Sequence, residues 1–245
     1  LLRRASFNIS QNRIDEFADY NVDQAISKLL APSDKNLNQP IHYINGALTQ
    51  PTPWINDDPV YGTANENNDS GGQRKNHFLN GWWMDEARRD TSLRSKMVYF
   101  LFTNLTAPQL DNGSSSYYYD YLMLLDNFCL SDWKELIFQV SINPRMLEFL
   151  NNDENTEANP NENYARELLE LYTIGVGKPI YIDDNGNVAY EGDPLNYSET
   201  TDIPEVSRIL TGWRFDKKNR ANMPLNGTAN GNLPTGYPVP DNHDF

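Results

Sequence analysis

Ionisable side chains are unusually dense in the run 159–177 of this sequence. Glu162, Arg166 and Glu170 follow one another at four-residue spacing, and Glu167 precedes Glu170 by three residues. On a helix, residues three and four apart lie next to each other. Arg166 could hold one carboxylate ionised while a neighbouring carboxylate exchanges a proton, and this combination suits acid–base chemistry or cation binding. The catalytic candidates are therefore Arg166, Glu167 and Glu170.

A structural interpretation of the same run competes with the catalytic one, and it is the one we favour. The charged groups would form a polar network of ion pairs that orients a buried helix. That network would consist of Glu162, Asn163, Arg166, Glu167 and Glu170. The run contains no further group that would complete a reaction, so the sequence indicates a structural role first.

A helix must position these side chains, and both of its ends are marked in the sequence. Asn159 suits the N-cap, Pro160 the first helical position, and Glu162 the place from which a carboxylate reaches back to the cap. Gly175 predicts the end of the helix, because glycine readily adopts the left-handed conformation found there. Between these ends, four side chains are expected to pack inward: Leu168, Leu169, Leu171 and Tyr172.

Apolar residues at helical spacing predict further helices along most of the chain. These helices cover about 11–18, 22–30, 77–89, 93–105, 117–130, 133–140, 144–150 and 202–211. A hairpin is predicted where 180–182 and 188–190 flank a turn at 184–187. The predicted fold is mainly α: a single irregular multi-helix domain over 1–245 with long loops and one small β-hairpin. Within it, 33–76 would be a long loop insertion, 178–200 the hairpin with its loop, and 214–245 irregular.

The composition excludes several classes of partner. The chain has 34 acidic and 20 basic residues and a net charge of -14, which argues against binding to nucleic acid or to an anionic membrane. No apolar stretch approaches the roughly 20 residues that a membrane-spanning helix needs. The single cysteine, Cys129, cannot form an intrachain disulfide, and its apolar neighbours predict a buried thiol.

Metal binding has little support in the sequence. The three histidines have no metal-ligand spacing to one another or to Cys129, so we predict no metal site and no cofactor. These histidines are His42, His77 and His243. Asp183, Asn185 and Asn187 alternate like the ligands of a calcium loop, but a hairpin turn explains them better.

Aromatic side chains are clustered in two places. Such clusters could stack on carbohydrate rings, although packing in the core or at an interface is the interpretation that we favour at helical spacing. The clustered residues are Trp82, Trp83, Tyr117, Tyr118, Tyr119 and Tyr121.

Two blocks of the sequence carry a resemblance to a known family. The run 159–177, followed by DIPEVSRILTGWR at 202–214, closely resembles a large bacterial family known as domain of unknown function 1800. LLRRASF at 1–7 and NPRMLEFLN at 143–151 support the resemblance, which covers nearly the whole chain. Similar members are typically exported proteins of Bacteroidetes and related bacteria, often encoded beside a phosphatase-like or sulfatase-like protein. The resemblance implies an extracytoplasmic location, whether secreted, periplasmic or at the cell surface, and no settled activity.

Departures from the family pattern affect its histidines. Relatives commonly carry His-X-His where this chain has Phe102 and Asn104, and Glu-Leu-His-Thr where it has Tyr172. If those histidines bind a metal or move protons in relatives, this chain has lost that capacity. His243 and Asp244 look like the beginning of a further family motif, so we expect a C-terminal portion of the family domain to be missing.

Two functions follow from these observations. The favoured hypothesis is a non-catalytic, exported structural or protein-interaction component of a complex at the cell surface, with a protein partner or the missing C-terminal part bound to it. The alternative is a secreted hydrolase-like or metal-dependent enzyme acting on a polymer. Its site would include Arg166, Glu167 and Glu170 and would be completed by the C-terminal part.

Overall fold

A computed structural model describes residues 1–31, 41–42, 52–53, 72–108, 115–177, 181–182, 184–189, 196–217, 220–227 and 232–243. Helices dominate this part of the chain, as predicted. They are α1 Leu2–Ala5, α2 Gln11–Ala18, α3 Val22–Leu30, α4 Gly72–Arg89, α5 Arg94–Asn104, α6 Ser115–Phe128, α7 Trp133–Ser141, α8 Pro144–Phe149, α9 Glu162–Glu167 and α10 Asp202–Ile209. None of these helices is both long and apolar enough to cross a membrane.

Strands are short and occur in antiparallel pairs. They are β1 Ile41–His42, β2 Thr52–Pro53, β3 Tyr181–Ile182, β4 Val188–Ala189, β5 Trp213–Arg214 and β6 Tyr237–Pro238. The predicted hairpin is confirmed, since β3 pairs with β4 with Tyr181 opposite Ala189 and Gly186 in the turn at φ +81°. β1 pairs with β2 and β5 with β6, two pairings that the sequence did not predict.

The chain divides into two compact units. Unit 1 comprises residues 1–132, 216–222 and 227–233, and unit 2 comprises residues 133–215, 223–226 and 234–245. The single domain over 1–245 stays a prediction. Most of the predicted loop at 33–76 lies outside the described residues.

Unit 1 is built around α6, which packs against α4 and α5. Leu79, Tyr118, Tyr119 and Leu122 form a buried cluster. Tyr117 and Tyr121 are also buried, and their hydroxyls donate to the carbonyls of Asp216 and Leu105 respectively. Burial in the core is therefore confirmed for these four tyrosines. The hydroxyls of Tyr117 and Tyr121 find the acceptors that a buried phenol needs.

The amino-terminal helices of unit 1 differ from prediction in which side chains they bury. Leu2, Ala5 and Leu29 form their core, as apolar spacing suggests. On α2, however, Ile14 is half exposed and Arg13 is buried. The Arg13 guanidinium donates to the carbonyl of Thr91 at 2.5 Å, and this tertiary bond is not visible in the periodicity of the helix.

Unit 2 has its core between α9 and α10, where Ala165, Tyr197 and Ile203 are buried together. α8 begins as predicted, with Asn143 capping and Pro144 at the first turn. α10 begins at Asp202, as predicted. Asp202 and Glu205 also have the spacing of a capping box, but Thr201 is the N-cap and Asp202 is the first helical residue. Its carboxylate accepts from the backbone N–H of Ser198 at 2.7 Å instead.

Candidate functional site

The charged run lies on α9, whose start differs from prediction. The helix begins at Glu162, and Asn161 caps it by accepting from the N–H of Asn163 at 3.0 Å. The predicted capping box that begins at Asn159 is wrong. The backbone N–H and carbonyl of Asn159 are both hydrogen-bonded to the backbone of Thr156. The two backbone bonds measure 3.1 and 3.3 Å and hold Asn159 in a turn before the helix.

Buried asparagines fix the start of α9 against the end of α10. The Asn155 side chain accepts from the N–H of Asn161 at 2.8 Å and donates to the carbonyl of Ser207 at 3.0 Å. Asn152 donates to the carbonyl of Leu210 at 3.0 Å. Sequence reasoning missed this network, because asparagines between helices suggest an exposed loop.

Arg166 is paired at the surface of α9. Its guanidinium bonds to the carboxylate of Glu199 and lies 3.8 Å from the carboxylate of Glu162. The hydrogen bond that Arg166 donates to the Glu199 carboxylate is the main reason that the pKa of Arg166 is raised. About a third of the Arg166 side chain remains exposed, so solvent screens both pairs.

The remaining members of the predicted network do not join Arg166. Glu170 accepts from the hydroxyl of Tyr197 at 3.3 Å, and Glu167 is half-buried. Asn163 is exposed, as is Glu162. The predicted burial of this network is wrong. The residues of α9 that are buried are Tyr164 and Ala165, which lie between the charged positions. Ala165 packs against Ile203 of α10, and the Tyr164 hydroxyl donates to the carbonyl of Ser141 on α7.

The helix widens after Glu167 into a π-helical segment over Leu168–Thr173. The N–H of Ile174 donates to the carbonyl of Leu169, five residues back, at 3.1 Å. Gly175 ends the segment at φ +73° and donates to the same carbonyl at 2.9 Å. Segments of this kind insert an extra residue into a turn and are frequent at functional sites.

Apolar side chains are exposed within the π-helical segment and just after it. Leu171 is 61% exposed, and Ile174 and Val176 are 49% and 43% exposed. We call these three residues the α9 apolar strip. The predicted inward packing of Leu171 is therefore wrong, whereas that of Tyr172 is confirmed, since Tyr172 is buried.

Three side chains stand where the resemblance led us to expect histidines in relatives: Phe102, Asn104 and Tyr172. Burial, aided by the charge of Glu167, raises the pKa of Tyr172 to about 12. Asn104 is exposed and donates to the carbonyl of Phe100 at 2.7 Å. Among the described residues, no three His, Cys, Asp or Glu side chains are grouped as metal ligands. Asp183 lies outside these residues.

Phe102 lies in unit 1 at the edge of an apolar pocket. Its ring meets the ring of Tyr118 edge-on, with centroids 6.1 Å apart. We call this cavity of about 190 Å³ the aromatic pocket, and Trp83, Tyr99 and Leu122 also line it. It was not predicted, because its walls come from α4, α5 and α6 and each contributes only a few residues.

A buried ion pair in unit 1 also escaped the sequence analysis. Asp120 is fully buried on α6, and Arg220 bonds to both of its carboxylate oxygens at 2.6 Å. Burial raises the pKa of Asp120, and the bonds from Arg220 oppose this effect. The two residues are 100 positions apart, so no local pattern connects them.

Comparison with known proteins gives a family and no closer relative. No curated protein and no solved structure matches the chain. A family described as "Protein of unknown function (DUF1800)" matches residues 1–234, which is nearly the whole sequence. The chain therefore belongs to this DUF1800 family.

Proposed function

We propose that the chain is an exported, extracytoplasmic component that binds another protein and has no catalytic site of its own. The α9 apolar strip is the observation that carries this proposal. Three aliphatic side chains at the end of this helix and just after it face solvent, and core packing was expected of one of them, Leu171. Exposed apolar surface of this kind is typical of protein interaction sites.

The backbone beneath the strip is held in place. The Asn196 side chain donates to the carbonyl of Ile174 at 2.7 Å, and its N–H donates to the carbonyl of Val176 at 3.1 Å. A strip fixed in this way loses little conformational entropy on binding, which favours affinity. Acidic groups at Glu167 and Glu170 border the strip and suit a partner with basic residues at its rim.

Two features of α9 weigh against the catalytic alternative. The guanidinium of Arg166 forms ion pairs with the carboxylates of Glu162 and Glu199 at the surface. Its charge is therefore already paired and would do little to stabilise a reacting group. Tyr172 stands at a histidine position of the family, and a pKa of about 12 keeps its phenol protonated at neutral pH. A phenol in that state cannot accept a proton as a base.

The proposed class of partner rests on the net charge of the chain, and the proposed location of the chain rests on its family. A net charge of -14 suits a hydrated protein and disfavours nucleic acid as the partner. The extracytoplasmic location is proposed from the resemblance alone, since similar members of the family are expected to be exported. Fractionation of the source bacterium tests it: recovery of the chain in the cytoplasmic fraction would contradict export.

Photo-crosslinking in intact cells tests the interaction. A photoreactive amino acid placed at Leu171 or Ile174 should give a discrete crosslinked protein band. The same substitution at Val22, an exposed aliphatic residue on α3, should give none. Equal crosslinking at all three positions, or at none, would argue against a specific surface on α9.

Charge substitution then measures what the strip contributes. We expect L171E/I174E to lower recovery of the crosslinked partner about tenfold, because two buried aliphatic contacts are worth at least the ~1.4 kcal/mol that a factor of ten requires. V22E/I26E adds the same two charges at exposed positions of α3, so it is the matched control and should leave recovery unchanged. Unchanged recovery with L171E/I174E would contradict the proposal.

A further inference from the structure

The aromatic pocket of unit 1 has the properties of a ligand site. Trp83, Tyr99 and Phe102 are partly accessible and line its walls, while Tyr118 and Leu122 are buried behind them. Its volume of about 190 Å³ exceeds the roughly 150 Å³ of an apolar cavity that admits benzene. An alkyl or aryl group of similar size therefore fits.

A second depression adjoins the aromatic pocket. The two share Met84, and the second one, of about 400 Å³, is also lined by Phe7, Ala87 and Arg88. Phe7 lines the second depression and also packs against two residues of the aromatic pocket. Its ring centroid lies 5.9 Å from that of Trp83 and 6.0 Å from that of Tyr99. A ligand longer than the first pocket can thus extend over Met84 toward Phe7.

Positive charge lies at the Phe7 end of this groove. The Lys96 ammonium sits 3.8 Å from the centre of the Phe7 ring, and Lys96 shares a face of α5 with Tyr99. The segments 1–8 and 94–104 contain four basic residues and no acidic one. Arg94 is paired with the carboxylate of Asp126 at 3.1 Å, so the local positive charge comes from Arg3, Arg4 and Lys96. Asp85 borders the second depression, but Arg88 and Arg89 bond to its carboxylate at 2.8 and 2.5 Å.

We propose that unit 1 binds the anion of a medium-chain fatty acid, with the alkyl chain in the aromatic pocket and the carboxylate beside Lys96. The aromatic pocket and the adjoining depression are apolar and end beside a cation. They are therefore complementary to a ligand with an apolar tail and an anionic head. Local charge sets this site apart, because the chain as a whole carries -14 and repels anions elsewhere.

Calorimetric titration with two amphiphiles of equal chain length tests the proposal. Decanoate should bind saturably with one site per chain, and decyltrimethylammonium should bind at least about tenfold more weakly. Non-specific adsorption to a protein of charge -14 would give the reverse preference. Absence of saturable decanoate binding, or preference for the cationic amphiphile, would overturn the proposal.

Matched charge reversals locate the carboxylate. K96E should weaken decanoate binding about tenfold, because it removes the ammonium beside the carboxylate and places a second negative charge there. K134E changes the net charge by the same amount on an exposed position of α7 and should leave binding within about twofold. Equal losses in both variants would show that only net charge matters and would contradict the site.

Two more measurements distinguish binding in the pocket from binding at a membrane or elsewhere on the chain. N80W places a large ring from an exposed helical position at the pocket edge, and it should weaken decanoate binding without changing the melting temperature. Unchanged decanoate binding by N80W would contradict the pocket. Sedimentation with phosphatidylglycerol vesicles identifies the source of the ligand, and capture by vesicles without binding of free decanoate would overturn the proposal in favour of a membrane surface.

Discussion

Asp120 and Arg220 illustrate what a single pair of residues does in this fold. Moving a carboxylate into the interior costs several kcal/mol, and only a well-aligned partner offsets that cost. Arg220 provides two parallel bonds of 2.6 Å, the geometry that a guanidinium and a carboxylate favour. By contrast, Arg166 pairs at the surface, where such bonds contribute little.

Removal of the Arg220 charge tests the strength of the buried pair. We expect R220M to lower the free energy of unfolding by about 3–5 kcal/mol at pH 7, because Asp120 would be left buried without its partner. Denaturant unfolding measures this loss. R208M is the matched control: Arg208 pairs with Glu205 at the surface, and its loss should cost less than about 1 kcal/mol.

The loss of unfolding free energy in R220M should depend on pH, and its sign can be predicted. Without Arg220, burial alone acts on Asp120 and raises its folded-state pKa further above the usual 3.8. A carboxyl whose pKa is raised by folding destabilises the fold as pH rises through that range. The difference between R220M and the unmodified chain should therefore be smaller at pH 4 than at pH 7. An equal difference at both pH values would mean that Asp120 is not the group affected.

At the scale of single elements, α9 with its π-helical end is the most instructive. Gly175 has φ +73° and open space around the position of a Cβ atom. Any effect of a larger residue there must come from the backbone conformation and not from a clash. This makes the end of the element a clean place to measure conformational strain.

Two glycine substitutions should have opposite signs. G175A should destabilise the chain by about 1 kcal/mol, because alanine resists a positive φ. G81A, in the exposed middle of α4 and also with open space around its Cβ, should stabilise by about 0.5–1 kcal/mol. Thermal unfolding of both variants measures the contrast. If G81A also destabilises the chain, the added methyl group at position 81 must meet a steric contact, although no atom lies within 4 Å of that position.

Sequence periodicity predicted the helices well and their tertiary details poorly. The hairpin and α8 follow from local signals, a Gly-containing turn and a proline at the first helical position, so both were predicted. The start of α9 was wrong because Asn155 and Thr156 impose bonds from outside the helix. Leu171 faces outward because the π-helical segment breaks the 3.6-residue period from which its burial was predicted.

For the whole molecule, the important feature is how the chain is divided between the units. Unit 1 is interrupted after Asp132 and resumes at Asp216, and the later segment provides both Arg220 and the carbonyl that accepts from Tyr117. The two sites that we propose belong to different units. The α9 apolar strip is in unit 2 and the aromatic pocket is in unit 1, so each can be tested without altering the other.

Fragments of the chain test this division. Residues 1–132 alone should show a broad, low-temperature melt by circular dichroism, because Asp120 would be buried without Arg220. Joining 216–233 to that fragment through a flexible Gly-Ser linker should sharpen the transition and raise its midpoint. If the two fragments melt alike, the later segment does not contribute to the stability of unit 1.

The separation of Asp120 from Arg220 also has a consequence during synthesis. The two residues are 100 positions apart, and translation at about 5–20 residues per second takes on the order of 5–20 s to cover that distance. Throughout that interval the Asp120 carboxylate lacks the Arg220 guanidinium, although α4, α5 and α6 have already been made. The ribosome thus delivers nearly all of unit 2 before the last segment that completes unit 1.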